Sequence, residues 1–175
     1  MHLVAIDVGV KNLGICVYDY RSREFVLWDN VSLLRCTLPR GYMPTSTYLV
    51  HAVHEFVRKH DRYFAGAWQV VVEKQMFGSP RVVEAILHTL CYDRCTVVPA
   101  RAVKLHFGTG TKTYADNKRK AVECAERYAD ANADRFADGL LTTFNTAKKR
   151  DDMADALLLA VYYTLTYSDP PTGDA

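Results

Sequence analysis

Two aspartates lie three residues apart at the start of a long apolar segment. Asp152 and Asp155 precede the run Ala156 to Val161, in which every residue is apolar. A segment that is apolar all round is expected to form a helix covered on every side. Side chains three apart on a helix lie on one face, about 5–6 Å from each other. Two carboxylates this close at a buried helix end repel each other unless a cation lies between them, so the pair predicts a metal site.

Asp151 offers a competing carboxylate at the same helix start. Asp151 lies four residues before Asp155 and Asp152 lies three residues before it, so either carboxylate could form the pair with Asp155. Acids in the first turn of a helix are also favoured by the helix dipole, which gives Asp151 and Asp152 a purely structural alternative. Asp155 lies further along the helix, where a capping role no longer explains an acid.

Two more acids interrupt apolar runs that read as strands. Asp7 follows the run Leu3 to Ile6, and Glu73 ends the run Trp68 to Val72. Asp7 could instead cap the following turn, and Glu73 could reach solvent at a strand end. Together with the helix acids they give oxygen ligands without His or Cys, a set that suits Mg²⁺ or Mn²⁺. In two-metal phosphodiester hydrolysis the ions lie about 3.5–4 Å apart, and no serine or cysteine nucleophile is needed.

The elements that must position these acids follow an order typical of a mixed sheet with helices on its faces. Three apolar runs with short turns predict an antiparallel meander, and a helix follows from about Ser46. Ser79 is expected to cap a helix with Pro80 in its first turn. The predicted strands are 3–8, 13–20, 25–34, 68–73 and 95–98, and a further helix covers 116–128. Residues 35–45 are expected to be a loop, and 130–147 are expected to contain irregular chain.

Composition indicates one ordinary globular domain, residues 1–167, followed by a flexible tail at 168–175. The net charge of +2 does not by itself argue for nucleic acid. Basic residues cluster around 148–150 and 112–120, which suits a polyanion approaching acids but also fits a solvated charged face. The five cysteines lack the spacing typical of a disulfide framework, which favours a reducing compartment. No run of residues is apolar enough to span a membrane. His88, Cys91 and Cys95 are of the residue types that bind zinc, but no second pair of ligands completes the set in the sequence.

Three segments resemble the RuvC-type Holliday junction resolvases, and most closely the poxvirus resolvases. They are Ala5 to Gly14, Val72 to Gln75 and Asp152 to Leu157, and Val97 to Lys104 is also similar to these enzymes. The resemblance runs over nearly the whole chain. It implies an α/β, ribonuclease H-like fold: a mixed five-stranded sheet, with an antiparallel meander of three strands and then two parallel strands, and helices on both faces.

The resemblance also implies an activity and its residues. The expected protein is a homodimer that nicks two opposed strands of a four-way DNA junction, using Mg²⁺ for which Mn²⁺ may substitute. Asp7, Glu73, Asp152 and Asp155 match the metal-binding acids of the family, with Asp151 second to Asp152. Candidate DNA-binding residues are Lys11, Lys74, Phe77, Lys104, Lys112, Lys118, Lys148 and Lys149.

Each DNA-binding candidate has a structural alternative. Lys11 could touch phosphate or merely form a turn. Met76 or Phe77 could stack on unpaired junction bases or pack under the next helix. The basic residues would position phosphates without reading sequence.

Other functions stay open at this point. A nuclease on the same scaffold could act on another branched DNA or on RNA, because loops decide the substrate. A nucleotide-binding ATPase or sugar-kinase module has a similar first hairpin but needs a second lobe, and a non-catalytic junction-binding protein would not need the acids. The missing targeting signals and the family resemblance together favour the cytoplasm, that of the host cell if the protein is viral.

Overall fold

The computed structural model describes residues 1–34 and 45–167. A five-stranded sheet has the order β3-β2-β1-β4-β5, with β1 at its centre. The first three strands are antiparallel neighbours, and β4 and β5 add in parallel, as predicted. The strands are β1 (His2–Asp7), β2 (Leu13–Asp19), β3 (Glu24–Val31), β4 (Ala67–Glu73) and β5 (Cys95–Val98).

Seven α-helices in the described ranges connect and cover these strands. They are α1 (Ser46–Lys59), α2 (Asp61–Phe64), α3 (Gly78–Leu90), α4 (Ala100–Phe107), α5 (Tyr114–Ala131), α6 (Leu140–Thr146) and α7 (Asp151–Thr166). None of the helices within residues 1–34 and 45–167 is long and apolar enough to cross a bilayer. The predicted loop at 35–45 falls, except for Thr45, outside the described residues, as does the predicted tail at 168–175.

The core has two halves, one on each face of the sheet. Alternate side chains of β1 serve different halves, as the two-residue period of a strand requires. Leu3 and Ala5 pack with α5 and α7, whereas Val4 and Ile6 pack with α1 and α3. In α7 the side chains of Met153, Ala154, and Ala156 to Val161 are all buried, which confirms the helix predicted to be covered on every side.

Two boundaries and two helices differ most from the sequence-based expectation. Strand β3 ends at Val31, because the N–H of Leu33 donates to the Val10 carbonyl instead of extending the ladder. Helix α3 begins at Gly78, whose φ of +72° turns the chain, so Ser79 is inside the helix and is not its cap. Helix α4 was not predicted, and α6 lies within the span expected to be irregular.

Helix α6 depends on tertiary contact more than on its own sequence. Its residues include three threonines, which have low helix propensity. Its Phe144 ring stacks on Trp28 of β3, with centroids 4.1 Å apart and planes 15° apart. Burial of this aromatic pair supplies the stabilisation that a seven-residue helix lacks alone.

Candidate active site

Asp7 and Glu73 end neighbouring parallel strands at the same edge of the sheet. Ile6 of β1 pairs with Val72 of β4, so the next residue of each strand follows side by side. The alternation of side chains puts Asp7 on the same face as Ala5, and Glu73 on the same face as Val71; both of these core residues pack toward α7. The register of two strands therefore turns both acids toward the helix that carries the others.

A glycine in β2 determines how closely α7 approaches this edge. Gly14 pairs with Asp7 across the antiparallel ladder. A Cβ on Gly14 would lie 2.0 Å from the carbonyl oxygen of Asp152, so only glycine leaves room for the helix backbone. The Trp28 indole Nε1 donates to the Met153 carbonyl at 2.7 Å and fixes the same turn. These contacts hold the first turn of α7 against the β1–β2 pair.

Burial and mutual repulsion change the acidity of these carboxyls. Asp7 is only 8% exposed, and burial raises its pKa well above the usual range, with the nearby Glu73 and Asp155 carboxylates raising it further. Burial also raises the pKa of Asp155 to about 7, again with a contribution from Glu73; Lys104 and Lys118 oppose this rise only in part. The lysines at the site thus do not offset the effects of burial and mutual repulsion on the pKa values of Asp7 and Asp155.

The structure separates Asp152 from its neighbour Asp151. Asp152 lines the same cavity as the other acids, accepts a hydrogen bond from Lys149 Nζ at 2.6 Å and lies 3.4 Å from Asn30 Nδ2. Asp151 pairs with Lys118 and lies beside an adjoining groove instead. Of the two candidates, Asp152 is the one brought together with Asp7, Glu73 and Asp155.

All four predicted acids line one cavity of about 390 Å³. Its remaining walls are mostly polar: Val8, Gly9, Val10, Lys11, Asn12, Gln75, Ala100, Lys104, Tyr114, Asn117, Lys118 and Lys149. In residues 1–34 and 45–167, no three Asp, Glu, His or Cys side chains stand close enough to form a finished metal cage. The donor chemistry nevertheless fits a hard divalent cation, because carboxylates with raised pKa values share a water-accessible cavity and a cation would stabilise their charged forms.

The predicted DNA-binding residues divide into three groups. Lys11, Lys104, Lys118 and Lys149 line the cavity. Lys148 lies in a basic groove next to it, formed by α5 and the start of α7; this groove is lined by Tyr114, Lys118, Arg119, Val122, Glu123, Glu126, Lys148, Lys149, Arg150 and Asp151. Lys74 and Lys112 are exposed and line neither.

Phe77 lies on the surface at the turn that precedes α3. Its side chain is 82% exposed and that of Met76 is 78% exposed, so the alternative that they pack under the next helix is wrong. Neither residue lines the acidic cavity. Two large apolar side chains exposed together form an unusual surface feature near a polar site.

Among the polar residues of the cavity wall, sequence reasoning missed Gln75, Tyr114 and Asn117 as site residues. Gln75 Nε2 donates to Glu73 Oε2 at 3.1 Å. Tyr114 is 73% exposed, and Lys118 Nζ lies 5.0 Å from the centre of its ring. Asn117 Oδ1 accepts from the backbone N–H of Thr111 at 2.5 Å. Gln75 follows Glu73 closely enough to have been suspected, whereas the other two depend on where α5 begins.

Solved structures with the same fold are Holliday junction resolvases. The yeast mitochondrial Holliday junction resolvase Ydc2 has a TM-score of 0.68 at 15% identity, covering 92% of this chain and 78% of that one. The fowlpox virus resolvase, solved with substrate Holliday junction DNA, has a TM-score of 0.64 at 17% identity, covering 93% and 96%. T. thermophilus RuvC, solved with a Holliday junction substrate, has a TM-score of 0.57 at 17% identity, covering 93% and 94%.

At these identities the likeness shows the fold, which is the ribonuclease H-like fold predicted. No curated protein matches the sequence. A family model does match it: residues 1–167 fit the family described as Poxvirus A22 protein. That match includes both strand acids and all of α7. The chain therefore belongs to the poxvirus A22 protein family.

Proposed function

We propose that this protein is a metal-dependent, structure-selective DNA endonuclease that resolves four-way Holliday junctions by paired symmetric nicks. The observation that carries the proposal is the convergence of Asp7, Glu73, Asp152 and Asp155 on one cavity, in a chain of the poxvirus A22 family. The fowlpox virus resolvase with the same fold was solved with its substrate Holliday junction DNA, which supports this substrate class.

The four acids would hold divalent cations in this cavity. Mg²⁺ is the expected ion and Mn²⁺ an expected substitute, since both prefer oxygen ligands. When bound, such ions supply the chemistry of phosphodiester hydrolysis by activating water and stabilising the leaving oxygen. Asp7 ends the central strand near all three other acids, and its carboxylate would be a ligand to the bound cations. Glu73, Asp152 and Asp155 complete the ligand set.

Lysines around the cavity would bring the reacting phosphate to the acids. Lys11, Lys104, Lys118 and Lys149 line the cavity together with the acids, so their positive charge would offset the repulsion between the carboxylates and an incoming phosphate. Their contacts would position the backbone without reading bases. We propose that Lys148 contacts the DNA duplex next to the reacting phosphate, where this duplex would lie along the basic groove. Lys74, Lys112 and Phe77 would contact DNA outside the cavity.

Paired nicks on opposed strands require two active sites with a fixed relation, so we propose that the protein acts as a homodimer. Phosphodiester hydrolysis by one cavity accounts for one nick, and a symmetric junction offers the second copy an equivalent strand. Membership in a poxvirus family favours the host cytoplasm, where poxviruses replicate.

The direct test is a four-way junction, labelled on each strand in turn, incubated with the protein and Mg²⁺. Asp7→Asn, Glu73→Gln, Asp152→Asn and Asp155→Asn are each expected to lower cutting by at least 10³-fold while keeping junction binding. Asp134→Asn is the matched control, because Asp134 is an exposed acid of the short 3₁₀ turn 133–135. Linear duplex of the same sequence is the substrate control.

Other outcomes would replace the proposal. Junction binding without metal-dependent cutting would indicate a non-catalytic binding protein. Cutting of an RNA–DNA hybrid as fast as the four-way junction would indicate a nuclease that acts on a different substrate. ATP hydrolysis without DNA would indicate a relative of the kinases. A strictly monomeric active species in sedimentation would contradict the account of paired nicks.

A further inference from the structure

A fifth acid, Glu84, is buried outside the cavity that holds the other four. Its side chain lies on α3 and is 2% exposed. Burying a carboxylate costs several kcal/mol unless partners compensate for the lost water. Glu84 is therefore expected to be held by specific hydrogen bonds, and the structure supplies them from two sides.

One oxygen of Glu84 holds the backbone of the segment that follows β4. The Gln75 backbone N–H donates to Glu84 Oε2 at 2.6 Å. The other oxygen, Oε1, accepts from the guanidinium of Arg81, one turn earlier on α3, which keeps this carboxylate balanced in charge. Because Glu84 is buried, water does not compete for the bond that it accepts from the Gln75 N–H, and this bond fixes the position of the Gln75 peptide.

The side chain of the same glutamine continues the chain of contacts into the cavity. Gln75 Nε2 donates to Glu73 Oε2 at 3.1 Å and lies 3.3 Å from the Glu73 carbonyl oxygen. A carboxylate with one oxygen held by an amide is restricted in its rotation, so the hydrogen bond fixes the direction in which its remaining lone pairs meet an ion. A continuous series of hydrogen bonds thus joins α3 to a candidate metal ligand on β4.

We propose that Glu84 is a positioning residue that orients the Glu73 carboxylate through Gln75. This inference rests on the proposed nuclease function, in which Glu73 holds a divalent ion. The Glu84 carboxylate fixes the Gln75 backbone, the Gln75 amide fixes Glu73, and the ion meets a ligand that is already oriented. Partners of this kind change metal affinity by about 10–100-fold when they are removed.

The same bond fixes the direction of the exposed Met76 and Phe77. Their segment runs from the Gln75 N–H, which Glu84 holds, to Gly78, where the left-handed backbone starts α3. Loss of the Glu84 contact would therefore loosen a metal ligand and the exposed apolar pair together.

The test measures Mn²⁺ affinity of the whole protein without DNA, by the electron paramagnetic resonance signal of free Mn²⁺. Glu84→Leu removes the acceptor while keeping a side chain of similar length. It is expected to raise the Kd for Mn²⁺ about tenfold or more. Glu84→Gln is the matched control, since its amide oxygen can still accept from the Gln75 N–H, and its Kd should stay within threefold of wild type.

Several results would overturn the assignment. An unchanged Mn²⁺ Kd in Glu84→Leu, even with a lowered Tm, would show that the contact is purely structural. Equal weakening by both variants would mean that charge, not the accepted hydrogen bond, matters. If Glu84→Leu fails to fold, Gln75→Leu tests the same series from its cavity end, and an unchanged Kd there overturns the proposal. Absence of Mn²⁺ binding by the wild-type protein would instead overturn the nuclease function itself.

Discussion

Substitution of Gly14 by alanine should disable the active site without touching any acid. Gly14 lies in β2, opposite Asp7, and faces the backbone of Asp152 in α7. A Cβ there would approach the Asp152 carbonyl oxygen to 2.0 Å and the Ala156 Cβ to 3.1 Å. The clash is with backbone at the shorter distance, so no side-chain rotation relieves it.

The size of the required shift follows from the distances. Real Cβ atoms essentially never come nearer than 3.0 Å, so the 2.0 Å approach calls for movement of about 1 Å. Strand β2 is hydrogen-bonded on both sides, to β1 and β3, and resists displacement. Helix α7 should therefore give way at its first turn and carry Asp152 with it. Overpacking of this kind costs about 1–3 kcal/mol of stability.

A 1 Å displacement of a catalytic group typically lowers the rate about 10²-fold. We expect Gly14→Ala to lose at least that much junction cleavage at saturating Mg²⁺, measured in single turnover. Junction binding in EDTA should change less than threefold, because the lysines around the cavity stay exposed to DNA. Circular dichroism at the assay temperature would verify that the protein is folded.

Gly139→Ala is the matched control for loss of stability alone. Gly139 has φ of +84°, and an added Cβ there would meet nothing within 4 Å. Alanine at that position costs roughly 1–2 kcal/mol through backbone strain but leaves the cavity intact. Cleavage by Gly14→Ala within threefold of the Gly139→Ala rate would refute the reasoning that β2 sets the position of the helix acids.

Three further predictions concern the acids and the lysines of the cavity. Asp152→Asn should lower cleavage at least 10³-fold, whereas Asp151→Asn, whose side chain lies outside the cavity and pairs with Lys118, should lose less than tenfold; equal losses would contradict this distinction. The folded-state pKa of Asp155 is raised to about 7, so its burial destabilises the metal-free protein increasingly as pH rises from about 4 to 7. Asp155→Asn should accordingly raise the free energy of unfolding at pH 8 in EDTA by up to about 4 kcal/mol, with no gain at pH 3. Urea titration at both pH values measures this difference. Metal binding to the wild type should strengthen over the same pH rise. Lys11→Ala should reduce the slope of log affinity against log salt by about 1 for any DNA sequence, since Lys11 is an exposed cation on the cavity wall, and an unchanged slope would exclude a phosphate contact.

The sequence by itself determined the fold class and indicated Asp7, Glu73 and Asp155 as candidate metal ligands. Apolar runs of strand length placed Asp7 and Glu73 at strand ends, and the uniformly apolar run after Asp155 required a buried helix, which is α7. The placement of these acids on strands and on a buried helix could be predicted because it depends on local periodicity and on the cost of burying charge. Both can be assessed from the sequence alone.

Only the tertiary structure decided between Asp151 and Asp152. The two are adjacent in a helix turn and equally acidic in sequence, so their choice depends on the rotation of α7 about its axis. The Gly14 contact and the Trp28 hydrogen bond to the Met153 carbonyl fix that rotation. Both partners are more than a hundred residues away along the chain, and no local pattern reports a contact of that kind.

Helix α6 and the contribution of Glu84 were hidden for the same reason. A threonine-rich segment forms a helix because Phe144 stacks on Trp28, and a glutamate inside an apolar helix face is held because the Gln75 peptide lies beside it. Periodicity tells which side chains are buried, but not which buried groups meet. That pairing is settled by the packing of α6 on β3 and of α3 beside β4.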